Sequence, residues 1–395
     1  MKKIGIIGMM IGVMFSTFMI PVKADVTTPV NGAGLKLAES AKSVIMLEAS
    51  TGKILYQRNA DEKLAPASMT KMMSLLIIME SIEQGIIRLD EMVTVSENAS
   101  SMGGSQILLE TGEQMSVDDL IKGISIASAN DAVVALAEKI AGSEAEFVNK
   151  MNERAKKLGL KNTHFKNPHG LDTADHYSSA RDMGLIAKEL VRHKKILDYS
   201  SIYEDYLREN TDRKIWLVNT NKLVRFYDGV DGLKTGYTEE AGYCLTSTAQ
   251  RNGMRIITVV MGEPDSKTRN KETTELLDYA FANYKIQTLV KEQESIGKVK
   301  VLKGKDKYAD LVPVEQATLL SKKVEKDKKT TYEVEMDYIE APVKKGDVVG
   351  KMTLLADGKK IRDVNLTVKE NIEKASFLEL FWNHFKDIVS GHITI

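Results

Sequence analysis

Pro66-Ala67-Ser68 opens a run in which Met69, Met72, Met73, Leu75, Leu76, Ile77, Ile78 and Met79 crowd together with few polar residues between them. A helix that is apolar on nearly all sides is stable only when covered on all sides, so this segment must lie in the middle of a domain. Its surroundings have to be built from the rest of the chain. Before it, apolar and polar residues alternate around Ser50-Thr51-Gly52-Lys53, the pattern of a β-hairpin with strands at 43–47 and 54–58. After it, helical periodicity recurs at 117–126, 131–141, 144–158 and 180–193. Strand patterns return near 215–218, 231–237, 241–249 and 254–262, and a helix is expected at about 271–284. Helices set between N-terminal strands and a late run of antiparallel strands predict an α+β domain, an antiparallel sheet with a helical cluster.

The chain has 395 residues, enough for two or three domains. Past Tyr284 helical pattern almost disappears until 372. Lys298–Leu302, Tyr332-Val334-Met336-Tyr338 and Val364-Leu366-Val368 alternate as strands, and Ala356-Asp357-Gly358 is a hairpin turn signal. Residues 286–370 are therefore expected to form a small all-β domain behind a larger domain at 25–285. Its lysine pairs are interspersed with acids and suit solvated edges and turns. Lys+Arg and Asp+Glu number 55 each, a balance that offers no attraction for nucleic acid. The one cysteine, Cys244, excludes an internal disulfide framework and any CxxC metal or redox site.

Both ends carry signals of their own. Lys2 and Lys3 precede an apolar run from Ile4 to Ile20, Pro21 breaks it, and Val22-Lys23-Ala24 has small residues where a signal peptidase reads. Residues 1–24 are expected to be a cleaved export signal, with an uncleaved anchor as the alternative. Cleavage after Ala24 leaves 52 basic against 55 acidic residues, a net charge of −3. At the other end, within 371–395, Phe377, Leu378, Phe381, Trp382, Phe385, Ile388 and Val389 fall in one arc of about 140° on a helical wheel. This predicts an amphipathic helix lying in a membrane surface, although a helix docked on the protein itself or on a dimer partner has the same pattern. The expected location is the outer face of the cytoplasmic membrane, with partial secretion as a variant.

Ser-x-x-Lys occurs three times, as Ser50/Lys53, Ser68/Lys71 and Ser295/Lys298. Ser50 falls in a hairpin turn and Ser295 leads into a strand. Only Ser68 stands at the start of the buried helix, where i, i+3 spacing puts Lys71 on its face and the helix dipole favours an anion. No histidine sits in a recognisable hydrolase motif and there is no G-x-S-x-G elbow. A lysine can serve as base when neutral, and burial or a second cation lowers its pKa. Lys234-Thr235-Gly236, at the end of a strand run, offers that cation, a hydroxyl for a carboxylate, and a glycine that would let a substrate backbone approach the strand edge. Ser128-Ala129-Asn130, between two helical runs, places a hydroxyl and an amide on a loop. Each piece alone has a plainer explanation: Ser68 as an N-cap, Ser128-Ala129-Asn130 as a capping loop like Ser96-Glu97-Asn98, Lys234-Thr235-Gly236 as a turn. Their order and spacing, with 60 residues from Ser68 to Ser128 and 104 from Asn130 to Lys234, make them a signal.

These three motifs resemble those of penicillin-binding proteins and serine β-lactamases, and most closely the low-molecular-mass D-alanyl-D-alanine carboxypeptidases. The resemblance covers the chain from signal to tail and includes Pro66–Lys71, Gly103-Gly104-Ser105, Asn167-Pro168-His169-Gly170-Leu171-Asp172 and His176–Asp182. It implies Ser68 as the acylated nucleophile, Lys71 as its base, Ser128 as a proton relay and Asn130 as a holder of the substrate peptide. It also implies Lys234 as an electrostatic tuner, Thr235 and Arg269 as carboxylate contacts, and the N–H groups of Ser68 and Tyr237 as an oxyanion hole. Related enzymes often have histidine where Tyr237 stands.

The implied activity is release of the terminal D-alanine from peptidoglycan stem pentapeptides through an acyl-serine, with β-lactams as covalent inhibitors and no metal or cofactor. A class A β-lactamase would carry Glu-x-x-Leu-Asn; the nearest stretch, Glu204–Arg208, ends in arginine. His164, His169 and His176 form no zinc-ligand spacing. The alternatives are a DD-endopeptidase or weak transpeptidase on the same site, or a non-catalytic penicillin-binding sensor or wall-binding protein.

Overall fold

The structure is a computed structural model that describes residues 35–336 and 338–382. The export signal and most of the terminal amphipathic helix lie outside the described residues. Two strands open the fold, β1 (Ser43–Glu48) and β2 (Ile54–Arg58), and a 3₁₀ turn (Ala67–Thr70) leads into α1 (Lys71–Glu83). A helical cluster follows: β3 (Met92–Thr94), α2 (Glu97–Ser100), β4 (Gln114–Ser116), α3 (Val117–Ala127), α4 (Asn130–Ala141), α5 (Glu144–Lys157), α6 (Ala180–Leu190) and α7 (Lys195–Ser200). The chain then returns through β5 (Glu204–Leu207), β6 (Ile215–Val218) and α8 (Leu223–Phe226) to β7 (Val230–Thr238), β8 (Gly242–Arg251), β9 (Met254–Glu263) and α9 (Ser266–Asn283).

Five strands form one antiparallel sheet in the order β2-β1-β9-β8-β7. Every residue of β1 is buried, because helices cover both faces. Ile45, Leu47, Ile257, Val259 and Met261 lie against α6 and share one core with α1, α3 and α4, while Val44, Met46, Ile256 and Val260 share the other with Leu276, Leu277 and Ala280 of α9. The period-2 alternation of β1 and β9 thus separates two cores, and α1, in the larger one, buries ten of its thirteen residues.

The helix starts follow local chemistry. Ser96, Ser116, Ser143 and Ser179 each accept the N–H three residues on. The helix expected at 271–284 begins five residues earlier, at Ser266, because Asp265 Oδ1 caps the Thr268 N–H at 2.8 Å. Its opening residues, Ser266 to Asn270, are all polar, so apolar periodicity does not reveal it. The helix expected to run to 193 ends at Leu190, and His193 N bonds Leu190 O in a tighter turn.

From Tyr284 the chain is β: β10 (Tyr284–Val290), β11 (Gly297–Leu302), β12 (Tyr308–Pro313), β13 (Ala317–Lys322), β14 (Thr330–Met336), β15 (Ile339–Glu340), β16 (Gly350–Ala356) and β17 (Lys359–Val368). β10 and β13 pair, and the other six form a sheet ordered β14-β16-β17-β12-β11-β15. Val290 and Ala317 of the pair pack with Leu311, Met352, Leu354, Val364 and Leu366 of the sheet. Arg362 ties this domain to the first through Ser50 O, and Thr318 Oγ1 bonds Ser50 Oγ at 2.7 Å. Residues 377–382 are helical, with Phe377 and Leu378 exposed. Among the described residues no helix is long and apolar enough to cross a membrane.

Candidate active site

Ser68 sits in the 3₁₀ turn and Lys71 is the first residue of α1. Pro66, not Ser68, occupies the N-cap position, and the Ser68 hydroxyl is left for other work. The turn is held in an unusual shape, with Ala67 at φ 46°. Lys71 is fully buried. Its Nζ lies 3.0 Å from Ser68 Oγ and donates to Asn130 Oδ1 at 2.6 Å and to the His169 carbonyl at 2.7 Å. Asn130 Nδ2 donates to Gly103 O at 2.7 Å, so the amide oxygen must face Lys71. A neutral amine has two N–H bonds and one lone pair. Two of the contacts take the N–H groups, and the lone pair is left for the hydroxyl proton of Ser68. Burial drives the Lys71 pKa well below the ordinary lysine value, and the nearby Lys234 charge lowers it further, against a smaller opposing pull from Asp131.

Lys234 is itself buried, in the edge strand β7, and donates to Thr235 O at 3.1 Å. Burial and then the charge of Arg269 bring its pKa down to about 7. Thr235 Oγ1 donates to Thr220 Oγ1 at 2.7 Å. Arg269, in the first turn of α9, is buried with its guanidinium on Asn270 Oδ1. It reaches the site through its field on Lys234. Ser128 ends α3 in a left-handed conformation (φ 64°), and its buried Oγ has no hydrogen-bond partner among the described residues. Tyr237, half exposed, stacks at 4.3 Å between ring centroids on Tyr243, its partner in β8. Among the described residues β7 has a neighbouring strand on one side only, so alternate amides of this strand point to its open edge.

Gly236 also serves the packing of the site. A Cβ there would stand 2.9 Å from Pro66 O and 3.1 Å from Ala67 Cβ. Its missing side chain lets the third motif pack on the backbone of the first.

The 166–176 loop supplies what motif reading did not assign. Asn167 Oδ1 accepts the His169 and Gly170 N–H groups, a turn that aims the His169 carbonyl at Lys71. His176 Nδ1 accepts Lys166 N–H, so Nε2 carries the proton and donates to Thr70 Oγ1 at 2.8 Å. Burial, with the charges of His169 and His164, lowers the His176 pKa to about 4 and keeps that tautomer neutral. Asn-Pro-His-Gly is a turn signature that could have flagged the bend; the role of a backbone carbonyl has no residue signature. Among the described residues no group of three or more His, Cys, Asp and Glu side chains is placed to hold a metal ion.

Comparison with known proteins agrees with this geometry. Residues 31–265 match the D-alanyl-D-alanine carboxypeptidase family of peptidases, and residues 284–374 match the C-terminal domain of penicillin-binding protein 5. The D-alanyl-D-alanine carboxypeptidase DacF of Bacillus subtilis is 51% identical over 358 residues, 89% of this chain and 92% of that protein. DacC of Escherichia coli is 37% identical, covering 87% of each chain. Penicillin-binding protein 5 from Haemophilus influenzae superposes with a TM-score of 0.67 at 34% identity, over 86% of this chain and 99% of that one. A penicillin-binding protein of Listeria monocytogenes, solved with cefotaxime bound, superposes with a TM-score of 0.56 at 32% identity, over 62% of this chain and 98% of that one.

Proposed function

The chain belongs to the D-alanyl-D-alanine carboxypeptidase family, and we propose that Ser68 is its nucleophile and Lys71 the base that activates it. Its activity is that of a serine-type D-alanyl-D-alanine carboxypeptidase, which removes the terminal D-alanine of peptidoglycan stem peptides. The observation that carries the residue assignment is the environment of Lys71 Nζ: two obligate acceptors hold its N–H groups and the Ser68 hydroxyl meets what remains.

In this reading the Lys71 lone pair takes the Ser68 proton as Oγ attacks the carbonyl carbon of the penultimate D-alanine. The N–H groups of Ser68 and Tyr237 receive the oxyanion. Ser128, whose hydroxyl is otherwise unsatisfied, passes the proton to the departing amine, and D-alanine leaves. Asn130 holds the peptide, Thr235 meets the terminal carboxylate, and Lys234 and Arg269 supply the positive field that favours an anion there. Water, deprotonated by Lys71, then cleaves the acyl-serine. A β-lactam is expected to acylate Ser68 by the same first step, as the antibiotic-bound relatives suggest. Ser68→Ala is expected to abolish both D-alanine release and labelling by fluorescent penicillin; retained labelling would remove Ser68 as nucleophile.

Export and anchoring complete the proposal. The signal-like N-terminus would direct the enzyme out of the cytoplasm, and the apolar face that begins at Phe377 and Leu378 would hold it at the outer membrane surface. Truncation at Lys374 is expected to move the signal-cleaved protein from the membrane fraction to the soluble one.

A further inference from the structure

The hairpin β5–β6 has one face in the core, through Leu207 and Leu217, and one in solvent. On the outer face Tyr206 and Trp216 stand directly opposite each other, 42% and 57% exposed. Lys214 Nζ lies 3.9 Å from the Tyr206 ring centroid and steadies that ring. The hairpin is fixed to the active site at both ends. Beyond β6, Thr220 Oγ1 receives the hydroxyl of Thr235. Beyond β5, Arg208 holds the Ile107 carbonyl at 2.9 Å and Glu113 at 2.6 Å, and Ile107 N–H is in turn held by Asp131, next to Asn130. Two large aromatic side chains on a braced hairpin, contributing nothing to the core beneath, form a preorganised apolar surface beside the second and third motifs.

We propose that Trp216 and Tyr206 form a subsite that stacks the amino-sugar ring to which the stem peptide is joined. The inference rests on the proposed function and names a further part of the same substrate. Its support is reach and chemistry. Trp216 precedes Thr220 by four residues, at most about 13–14 Å of chain. Five stem residues separate the terminal carboxylate from the lactyl group on the sugar, roughly 16–18 Å when extended, and the contact of Thr220 with Thr235 adds the remaining few ångströms to the span from Trp216. A substrate with its terminal carboxylate near Thr235 and its peptide along the hairpin therefore brings the sugar to the aromatic pair. A pyranose offers an apolar C–H face with polar rims, which suits a ring face carrying an indole N–H or phenol O–H at its edge.

The test compares full-length wild type, Trp216→Ala and Trp216→Phe on an N-acetylmuramyl pentapeptide and on the same pentapeptide N-acetylated without the sugar. Penicillin acylation checks that each variant is folded. Trp216→Ala is expected to raise KM about tenfold on the sugar-bearing substrate alone, with kcat little changed and Trp216→Phe largely restoring it. Equal loss on both substrates, or no loss on either, overturns the subsite. Because the chain has two tryptophans, Trp382→Phe leaves Trp216 as the sole indole reporter. Titrating that variant with N-acetylmuramyl dipeptide is expected to quench or blue-shift its emission, and an unchanged spectrum overturns the subsite too. This readout needs no catalysis, so absence of D-alanine release by wild type would count against the enzymatic reading while the titration still decides the subsite.

Discussion

Gly170→Ala tests whether the 166–176 loop is what positions the general base. Gly170 has φ 91°, and a Cβ there would lie 1.9 Å from Ala67 O, 2.4 Å from Ala67 C and 2.9 Å from Thr70 Oγ1. Backbone cannot swing aside as a side chain can. Restoring an ordinary 3.4 Å contact from 1.9 Å requires the loop and the nucleophile turn to part by about 1.5 Å. The adjacent His169 carbonyl, now 2.7 Å from Lys71 Nζ, would then lie beyond hydrogen-bond range. The positive φ costs about 1–2 kcal/mol and the overpacking about 1–3 kcal/mol, together a fall in Tm of roughly 5–15 °C. A misplacement of about 1 Å at a reacting group lowers rate by about 10²-fold. The assay is the second-order rate of fluorescent penicillin acylation alongside a thermal melt. Gly142→Ala is the control: Gly142 has φ 82°, but nothing lies within 4 Å of its Cβ position. It is expected to lose about 1 kcal/mol and to acylate normally. Acylation by Gly170→Ala within threefold of wild type would refute the idea that this loop holds Lys71.

Three other substitutions probe separate parts of the molecule. In Lys234→Met the charge that helps depress Lys71 is gone, the Lys71 pKa rises, and the acidic limb of the acylation rate should move to higher pH; an unmoved limb would show that burial alone sets the base. The same variant bears on stability: Lys234 has a folded pKa of about 7 against an ordinary value near 10.4, so the cost of burying its ammonium is present in full below pH 7 and is relieved as pH rises through that window. Thermal melts should show the gain of Lys234→Met largest near pH 6 and shrinking toward pH 10. Ser128→Ala removes a buried hydroxyl that has no partner among the described residues, so stability should change by no more than about 0.5 kcal/mol while D-alanine release falls by about 10²-fold or more. Arg362→Ala takes away donors to Ser50 O, Gln316 O and Glu315 and should loosen the junction, seen as a lower or separate β-domain transition in calorimetry with small-peptide turnover unchanged.

Local order along the chain was enough to place much of this enzyme. The burial of α1 follows from a run that is apolar on every side, and the meeting of Ser68 with Lys71 follows from one helical turn of spacing, so both are properties of a few neighbouring residues. The two-period strands and the serine caps are local in the same sense. What brings Lys234 within reach of Lys71, although 163 positions separate them, is the sheet order, which sets β7 at the edge beside the nucleophile turn. That contact depends on Gly236 having no side chain to hold the two segments apart, which only the packed structure reveals. The His169 carbonyl was illegible for another reason: every residue has a carbonyl, and its direction is set by Asn167, Gly170 and the turn beneath them. The start of α9 and the Tyr206–Trp216 pairing were hidden likewise, one in a polar capped turn without periodicity and the other in a cross-strand register. Residue type and spacing determined which groups could react; only the long-range packing of one backbone on another decided that they meet, because such contacts join residues that share no local pattern.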